Sequence, residues 1–592
     1  MSSRVRKSTS LVSGTIATLA ATGLFCGAAA AATPPPLRVA SAAVASDNAQ
    51  ASAAGVALMK AGGNAIDAAC ATALALGVVH PYASGIGGGG FALVYIAKEQ
   101  RIFALDFRER APAAIRADMF IKDGKVDPRL SREGGLSVGV PGEVRGLGEL
   151  VRRFGKLPFS RCVAPAEQLA RGTARVSWRL AEVVQKEVAT PLVAGAVAAP
   201  SPSPVAPETI FPSLFGGART LKEGDTFRRP ELARTLARLR TAGPDAFYKG
   251  QIAADIIKAV TEAGGIMSVA DLEKYAATER TPVEVRYRGL RVLSMPPPSS
   301  GGVALAQTLG ILASRYADAT AFPKVGRTSS AYIHALTEAT KHAFADRARH
   351  LGDPDFVQVP LARLLASDYH ADLARRIKDG AIAASDTYGT PDAPADLHRD
   401  GGTAHLSVVD NQGNAVALTT TINLGFGAKL VAGKTGILLN DQMDDFAIQP
   451  GVPNGFGLIG SAQNAVAPHK RPLSSMTPTI VLDGNQVKLV VGAAGGPTII
   501  TSTTQVLLNV IDWKMDAQAA IAAARTHHQW FPEVLMVEPD LPRDVADGLT
   551  KRGHKIREIP HIGVSNLIVR AASGAGWEVA AEPRSPSTPA GY

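Results

Sequence analysis

The stretch Asp400-Gly-Gly-Thr-Ala-His-Leu-Ser-Val-Val-Asp410 decides the reading of this chain, together with Asn411-Gln-Gly-Asn414 and Ala415-Val-Ala-Leu-Thr-Thr-Thr-Ile422. Ala404 to Val409 and Ala415 to Ile422 alternate with period two around a polar turn, so they predict a β-hairpin. Two glycines, which accept backbone angles other residues resist, precede the first strand. Thr403 therefore stands where a loop meets a sheet. A threonine hydroxyl is a weak nucleophile without a base. If the chain is cut just before it, its own new α-amine lies beside Oγ and can take the proton. An uncut precursor can reach that state unaided: the hydroxyl attacks the Gly402 carbonyl, the acyl group shifts from nitrogen to oxygen, and water releases it. On the tripeptide alone, a self-cleaving site and an ordinary loop entering a strand both fit.

The wider pattern separates them. Gly401 to Asp410, Asn414-Ala-Val-Ala417, Ile437-Leu-Leu-Asn-Asp-Gln-Met-Asp-Asp-Phe446 and Lys470-Arg-Pro-Leu-Ser-Ser-Met476 with Pro478 resemble the γ-glutamyltranspeptidases. His80-Pro81 with the glycine run Gly85 to Gly90, Asp106-Phe-Arg-Glu109, Gly139-Val-Pro-Gly142, Ser294 to Gly302 and Thr588 to Tyr592 extend the resemblance over nearly all of residues 37 to 592, in the same order.

The resemblance implies an α+β fold, a four-layer αββα sandwich of the N-terminal-nucleophile hydrolase type. It implies a signal peptide over 1–32, a large subunit over 33–402 and a small subunit over 403–592, the two forming one composite domain after cleavage at Gly402-Thr403. Thr403 is then the nucleophile, and Thr421 supports its hydroxyl. The N–H groups of Gly495 and Gly496 form the oxyanion hole. Arg108, Asn423, Gln442, Asp445, Ser474 and Ser475 hold the donor's glutamyl head. The implied substrates are glutathione and other γ-glutamyl compounds, with water, amino acids or peptides as acceptors. No cofactor and no metal is expected. Pro450 to Lys470 resembles the family's lid loop, with Phe456 where many members carry a tyrosine.

Residue chemistry supports parts of this independently. A guanidinium fork suits a carboxylate, and an aspartate suits an ammonium. One arginine and one aspartate are what a zwitterionic amino-acid head requires. A glycine-rich helix entry such as Gly492-Ala-Ala-Gly-Gly-Pro497 presents outward N–H groups to an anion. Arg110 reads as surface. Gly85, Gly87 and Gly90 match a dinucleotide-binding spacing, but they precede a strand instead of following one, so tight backbone packing is the expectation. Arg525-Thr-His-His-Gln-Trp530 resembles a metal tract, yet adjacent His527 and His528 point apart on any regular element.

The 592 residues are 46% hydrophobic and 19% charged, with a net charge of +10, an ordinary globular composition. No nucleic-acid motif and no dense basic run beyond the N-terminus is present. Arg4, Arg6 and Lys7 precede an apolar Leu11 to Phe25 and small-residue cleavage sites at Ala28 to Ala32, which reads as an export signal too short for a membrane span. The mature protein is expected to be periplasmic or secreted, without a membrane span. Removal of Cys26 leaves Cys70 and Cys162, which export would permit to form one bond.

Two helices are expected between Ala42 and Leu76, broken at Gly62-Gly63. Residues 113 to 400 are expected to be mostly helical, with a surface loop at Thr190 to Pro212 and a polar tail from Ser385 to Arg399. Two rival functions follow the same residues. One is an acylase acting on glutaryl amides such as acylated cephalosporins, whose donors lack the α-amino group that Asp445 would meet. The other is an exported amino-acid-binding protein that never cleaves itself.

Overall fold

In the computed structural model, residues 34–189, 207–218, 220–318, 322–383, 385–388 and 401–592 are described. The expected signal peptide, most of the Pro-rich loop and most of the polar tail lie outside them.

The hairpin is the centre of the molecule. Gly401–Val409 pairs antiparallel with Ala415–Leu424, and the register slips between Gly402 and Thr403. Such a bulge lifts one residue out of the ladder and re-aims its side chain. The hairpin sits in a seven-stranded antiparallel sheet ordered Ala590–Gly591, Ala43–Ser46, Gly401–Val409, Ala415–Leu424, Gly89–Ile96, Arg101–Phe107 and Thr278–Arg280. A second seven-stranded sheet runs Leu37–Val39, Trp577–Val579, Val564–Arg570, Gln486–Ala494, Thr479–Asp483, Leu290–Ser294 and Val283–Tyr287.

Strand alternation sorts the core into layers. Ala92, Val94, Leu406, Val408, Val416 and Leu418 point out of the first sheet into a cluster with helices Ala49–Lys60, Ala65–Val79, Glu143–Phe154 and Phe159–Gln168. Their neighbours Phe91, Leu93, Tyr95, Ala415 and Ala417 point the other way and meet Ile480, Leu482, Val490 and Ile568 between the sheets. Val481, Leu489, Val491, Leu567 and Val569 then face helices Gly301–Arg315, Ser330–His350 and Thr498–Ile511. Period-two strands buried on both faces require this helix–sheet–sheet–helix order. The expected αββα sandwich is the fold.

Local sequence explains the joints. Gly62 adopts φ +96, which ends the first helix. Asn64 then caps the second: its Oδ1 accepts from the N–H groups of Ile66 and Asp67, and Asp67 Oδ2 accepts from the N–H of Asn64 at 2.9 Å. The glycine run packs as expected: a Cβ on Gly88 would lie 2.0 Å from the Thr421 carbonyl, and one on Gly87 2.1 Å from that of Leu438.

Several expectations are corrected. Ala43–Ser46 is a strand, not the start of a helix. Its small residues fit either period, and pairing with Leu406–Val409 on one side and Ala590–Gly591 on the other decides it. The helical stretch after residue 113 contains the hairpin Val283–Tyr287/Leu290–Ser294, which forms an edge of the second sheet. Pro207–Leu214, which overlaps the end of the loop expected over Thr190 to Pro212, is a helix. Cys70 and Cys162 are both buried free thiols. Among the described residues no helix is long and apolar enough to cross a membrane.

Candidate active site

Thr403 lies on the sheet-to-sheet face of its strand, 6% exposed, beside the bulge. Its Oγ1 is 3.0 Å from Thr421 Oγ1 on the paired strand. The Thr421 hydroxyl donates to the Gly402 carbonyl at 2.6 Å and accepts from the N–H of Asn423 at 2.9 Å. The proton of Thr403 can therefore point at Thr421 while the proton of Thr421 points at the carbonyl of the Gly402–Thr403 peptide. That chain polarises the carbonyl next to the hydroxyl able to attack it. Thr419 and Thr420 serve other partners, as alternation predicts: Thr419 Oγ1 meets His405 Nδ1 at 2.8 Å between the sheets, and Thr420 donates to Glu143 Oε2 at 2.9 Å on the helix side.

Next to Thr403 is a small cavity lined by Arg108, Thr421, Asn423, Gln442, Asp445, Ser474, Ser475 and Gly496. The structure brings together every residue expected to hold the glutamyl head. Arg108 ends strand Arg101–Phe107 and is 1% exposed. Its Nε donates to the Pro472 carbonyl at 3.3 Å, and its guanidinium is paired with the Asp445 carboxylate. Gln442 Nε2 donates to the same carboxylate at 2.8 Å. Burial raises the Asp445 pKa above the usual carboxylate range, while Arg108 pulls it back. The charges of Arg108 and Asp445 thus neutralise each other in the cavity wall.

The turn carrying Gln442 and Asp445 is clamped by Asn440. Its Nδ2 donates to the carbonyls of Gly87 and Gly139, both at 2.8 Å, and its Oδ1 accepts from the N–H groups of Gly139 and Gln442, both at 3.0 Å. Three separate motifs, the glycine run, Gly139-Val-Pro-Gly142 and Leu439-Asn-Asp-Gln442, thus meet at one amide. Asn464 does the same for the segment ahead of Ser474, donating to the Asp445 carbonyl at 2.7 Å and accepting from the N–H of Leu473 at 2.9 Å. Asp444 turns away from Asp445 to Ser131, Arg132 and the N–H of Gly455. Asn423, expected to face a carboxylate, has its Nδ2 on the Asp441 carbonyl at 3.1 Å, with its backbone at φ +79.

Gly495 and Gly496 stand ahead of helix Thr498–Ile511 with φ +125 and +59, angles that favour glycine. Phe456 covers Gly496: a Cβ there would lie 2.7 Å from its ring. Phe456 is 7% exposed, and its carbonyl accepts from Gln529 Nε2 at 3.2 Å.

Beyond Thr403 a second cavity opens, reached by Gly495 and Phe456 and lined also by Asp47, His80, Arg179, Met536, Ile559 and His561. Apart from His80, which stands beside the glycine run, none of these was legible as a site residue. Burial lowers the His80 pKa to about 3, with Arg179 adding to the effect, and burial raises that of Asp47 to about 7.

Arg110 is not a surface residue. It is half-buried, with its guanidinium 5.6 Å from the centre of the Tyr275 ring. The whole Asp106-Phe-Arg-Glu109 cluster is buried rather than solvated. Asp106 accepts from the N–H of Arg108 and pairs with Arg280 and Arg471, both at 3.2 Å, which fixes Arg108 from behind. His527 and His528 do part: the first meets Thr501 and Gln529, the second Glu533.

The Gamma-glutamyltranspeptidase family profile matches residues 51–592. The glutathione hydrolase proenzyme of Escherichia coli (strain K12) is 40% identical over 583 residues, covering 96% of this chain and 97% of the relative. That of Pseudomonas aeruginosa is 40% identical over 531 residues, 89% and 90% of the two chains. Among solved structures, cephalosporin acylase from Bacillus halodurans superposes with a TM-score of 0.79 at 27% identity over 94% of this chain and 97% of its own. Gamma-glutamyltranspeptidase from Pseudomonas nitroreducens, complexed with L-DON, gives 0.51 at 39% identity over 57% of this chain and 94% of its own. With the profile and both full-length relatives in agreement, this chain belongs to the γ-glutamyltranspeptidase family.

Proposed function

We propose that the chain is a precursor that cuts itself between Gly402 and Thr403 and then transfers γ-glutamyl groups from glutathione and related amides to water, amino acids or peptides. It is an enzyme, a glutathione hydrolase and γ-glutamyltransferase. The observation that carries the mechanism is the hydrogen-bond chain from Thr403 through Thr421 to the Gly402 carbonyl.

In the first stage Thr403 Oγ attacks the Gly402 carbonyl carbon. The C–N bond breaks as the C–O bond forms, leaving an ester and a free α-amine, and water hydrolyses the ester. The products are a large subunit ending at Gly402 and a small subunit beginning at Thr403, which remain together as one domain. In the second stage the α-amine accepts the proton of Thr403 Oγ as it attacks the donor's γ-amide. The N–H groups of Gly495 and Gly496 receive the oxyanion, a role in which one lost donor costs about 10²–10³ in rate. The leaving amine takes the proton. Water or an acceptor amine then releases the γ-glutamyl group.

The head is held by exchange. The donor carboxylate goes to Arg108 with Asn423, Ser474 and Ser475, and its ammonium to Asp445 with Gln442, so one internal ion pair is replaced by two intermolecular ones. A glutaryl donor has no ammonium and, with Arg108 taken by its carboxylate, would leave the buried Asp445 hydrogen-bonded to Gln442 and Asn454 but without an opposite charge, which costs on the order of several kcal/mol. This favours glutamyl over glutaryl amides, although an acylase shares the fold. The second cavity is then the place of the leaving group and of the acceptor. The precursor would be exported by its N-terminal segment and mature outside the cytoplasm.

Intact-mass and N-terminal analysis of the purified protein beside Thr403→Ala tests the first stage. Two chains, one beginning at Thr403, with an uncut variant, are expected. A single wild-type chain that still binds glutamate would instead support the binding-protein reading. Rates on matched glutamyl and glutaryl amides test the second stage, with the glutamyl donor expected to be faster.

A further inference from the structure

Tyr388, ahead of the scissile bond, is 2% exposed and held at several points. Its hydroxyl donates to Glu338 Oε2 at 2.6 Å, and its carbonyl accepts from the Arg349 guanidinium. Its ring lies 4.6 Å from that of His342, and the Lys341 ammonium sits 4.8 Å from its centre. Glu338, His342, Lys341 and Arg349 all belong to helix Ser330–His350.

Glu338 is fully buried and also accepts from the N–H of Ala383 at 3.0 Å. With His334 and His554 it has the spacing of a metal-ligand triad. The local bonding assigns it differently. His334 Nδ1 and His554 Nε2 bond each other at 2.8 Å, and Lys341 Nζ lies 3.1 Å from Glu338 Oε1 and 3.0 Å from Glu533. A charged amine already balances the carboxylate, which accepts from the N–H of Ala383 and from the Tyr388 hydroxyl.

The same helix is the wall on which the covering loop rests. Ser461 donates to the Arg349 carbonyl at 3.2 Å, so Arg349 meets the loop with its backbone and Tyr388 with its side chain. Phe456 and Leu458 of that loop share one apolar cluster with Tyr388, Phe344, Leu424 and Trp530. Phe456 in turn lines both cavities beside Thr403.

We propose that Tyr388 is a retained anchor: the large subunit stays fixed at this residue after cleavage, and the anchor holds Phe456 and Leu458 in place over Thr403. Tyr388 and Glu338 are positioning residues, acting through the loop and not on the substrate. The proposal rests on the self-cleavage above. Packed, hydrogen-bonded contacts of this kind are the physical route by which one segment sets the stability of another.

The test uses the full chain as wild type, Tyr388→Phe and Tyr388→Ala. Protease nicking within residues 450–470 is followed by mass, alongside the KM and kcat for glutathione. Nicking is expected to rise roughly tenfold in Tyr388→Ala and about threefold in Tyr388→Phe, which keeps the ring and loses one buried hydrogen bond. Donor KM should rise more than kcat falls, with the phenylalanine variant intermediate. Trimming of the mature wild-type large subunit should stop short of Tyr388. Nicking at the wild-type rate in both variants, or removal of Tyr388 with the loop unchanged, would overturn the proposal. If Tyr388→Ala does not fold, Tyr388→Phe alone decides by the same nicking rate. A wild type that stays one chain would defeat the self-cleavage and the retained end, while the nicking comparison would still measure the docking separately.

Discussion

On one side of Thr403 the cavity wall is made of fixed charge: Arg108 against Asp445, each backed by further hydrogen bonds to Pro472 and Gln442. On the other side the wall mixes Met536, Ile559 and Phe456 with a histidine that burial keeps neutral and an aspartate that burial holds near pKa 7. The first side presents one cation and one anion, the pair that the two ends of a zwitterion would match. On the second side Arg179 is already paired with Glu182, and Arg584 with Glu538 and Glu582, so what the wall offers an amine is shape and apolar surface. A buried wall that carries two guanidiniums also disfavours an ammonium relative to a neutral amine, and only the neutral amine can attack an ester. On the proposed function, this asymmetry would place strict selection on the donor and tolerance on the acceptor.

The sharpest way to break this contrast is to neutralise the charged side. Asp445→Asn should leave the subunits cut, since Asp445 takes no part in the Thr403–Thr421–Gly402 chain. It should lower kcat/KM for glutathione by about 10²–10³, the factor expected when one partner of a buried ion pair is lost. The loss should be much smaller on a glutaryl amide, so the ratio of the two donors is the measurement. pH gives the same answer from another direction. The ammonium needs an ionised Asp445, whose pKa is raised by burial. Wild-type donor KM should therefore climb as pH falls through that pKa, and the asparagine variant should show no such rise. Equal glutamyl and glutaryl rates in the wild type would remove the contrast altogether.

A smaller effect is expected at the boundary between the two sides. Thr421→Val removes the hydroxyl that links Thr403 to the Gly402 carbonyl while keeping the β-branched shape the strand prefers. Three hydrogen bonds disappear, those with Thr403, the Gly402 carbonyl and the N–H of Asn423, so self-cleavage should slow by about 10–100-fold, read as the half-time of conversion from one chain to two. Conversion at the wild-type rate would mean that the bulge alone activates the peptide.

The two sides also differ in how much of them the sequence discloses. Arg108, Gln442, Asp445, Ser474 and Ser475 each sit in a short contiguous motif, because a tight turn needs its own residues to close it. Asn440, Asp444 and Asn464 do that with bonds to nearby backbone and side chains. Phe456 could be placed in the covering loop from sequence, but not its ring over Gly496. Asp47, Arg179 and the group Met536, Ile559 and His561 come from three stretches more than a hundred residues apart in the chain, and nothing local marks them. The fold divides in the same way. The central hairpin declares itself by alternation and a polar turn. Ala43–Ser46 does not, because its small residues satisfy a helix as well as a strand, and its partners lie near residue 408 and at the far end of the chain. Arg110 was misplaced because a charge cluster normally seeks water. Here Asp106 is shared between Arg280 and Arg471, and Arg108 is paired with Asp445, while burial pushes the Glu109 carboxyl up to about 7, so the cluster is buried with most of its charge paired or titrated upward.

The smallest expected effect tests the tolerant side. Arg179 is the guanidinium of the second cavity that lies close enough to His80 to depress its pKa, and its NH1 is bonded to Glu182 at 2.7 Å. If that cavity takes an acceptor mainly by shape, removing this charge should matter little. Arg179→Met keeps the length and apolar stem. It is expected to raise the KM for a dipeptide acceptor by about two- to fivefold, the range of a partly solvated charge contact. An acceptor amide without a terminal carboxylate should show a smaller change still. A loss of a hundredfold or more for the dipeptide would show that the second side, too, reads a fixed charge. The contrast across Thr403 would then lie between two kinds of ion recognition, with Arg179 the counterpart of Arg108.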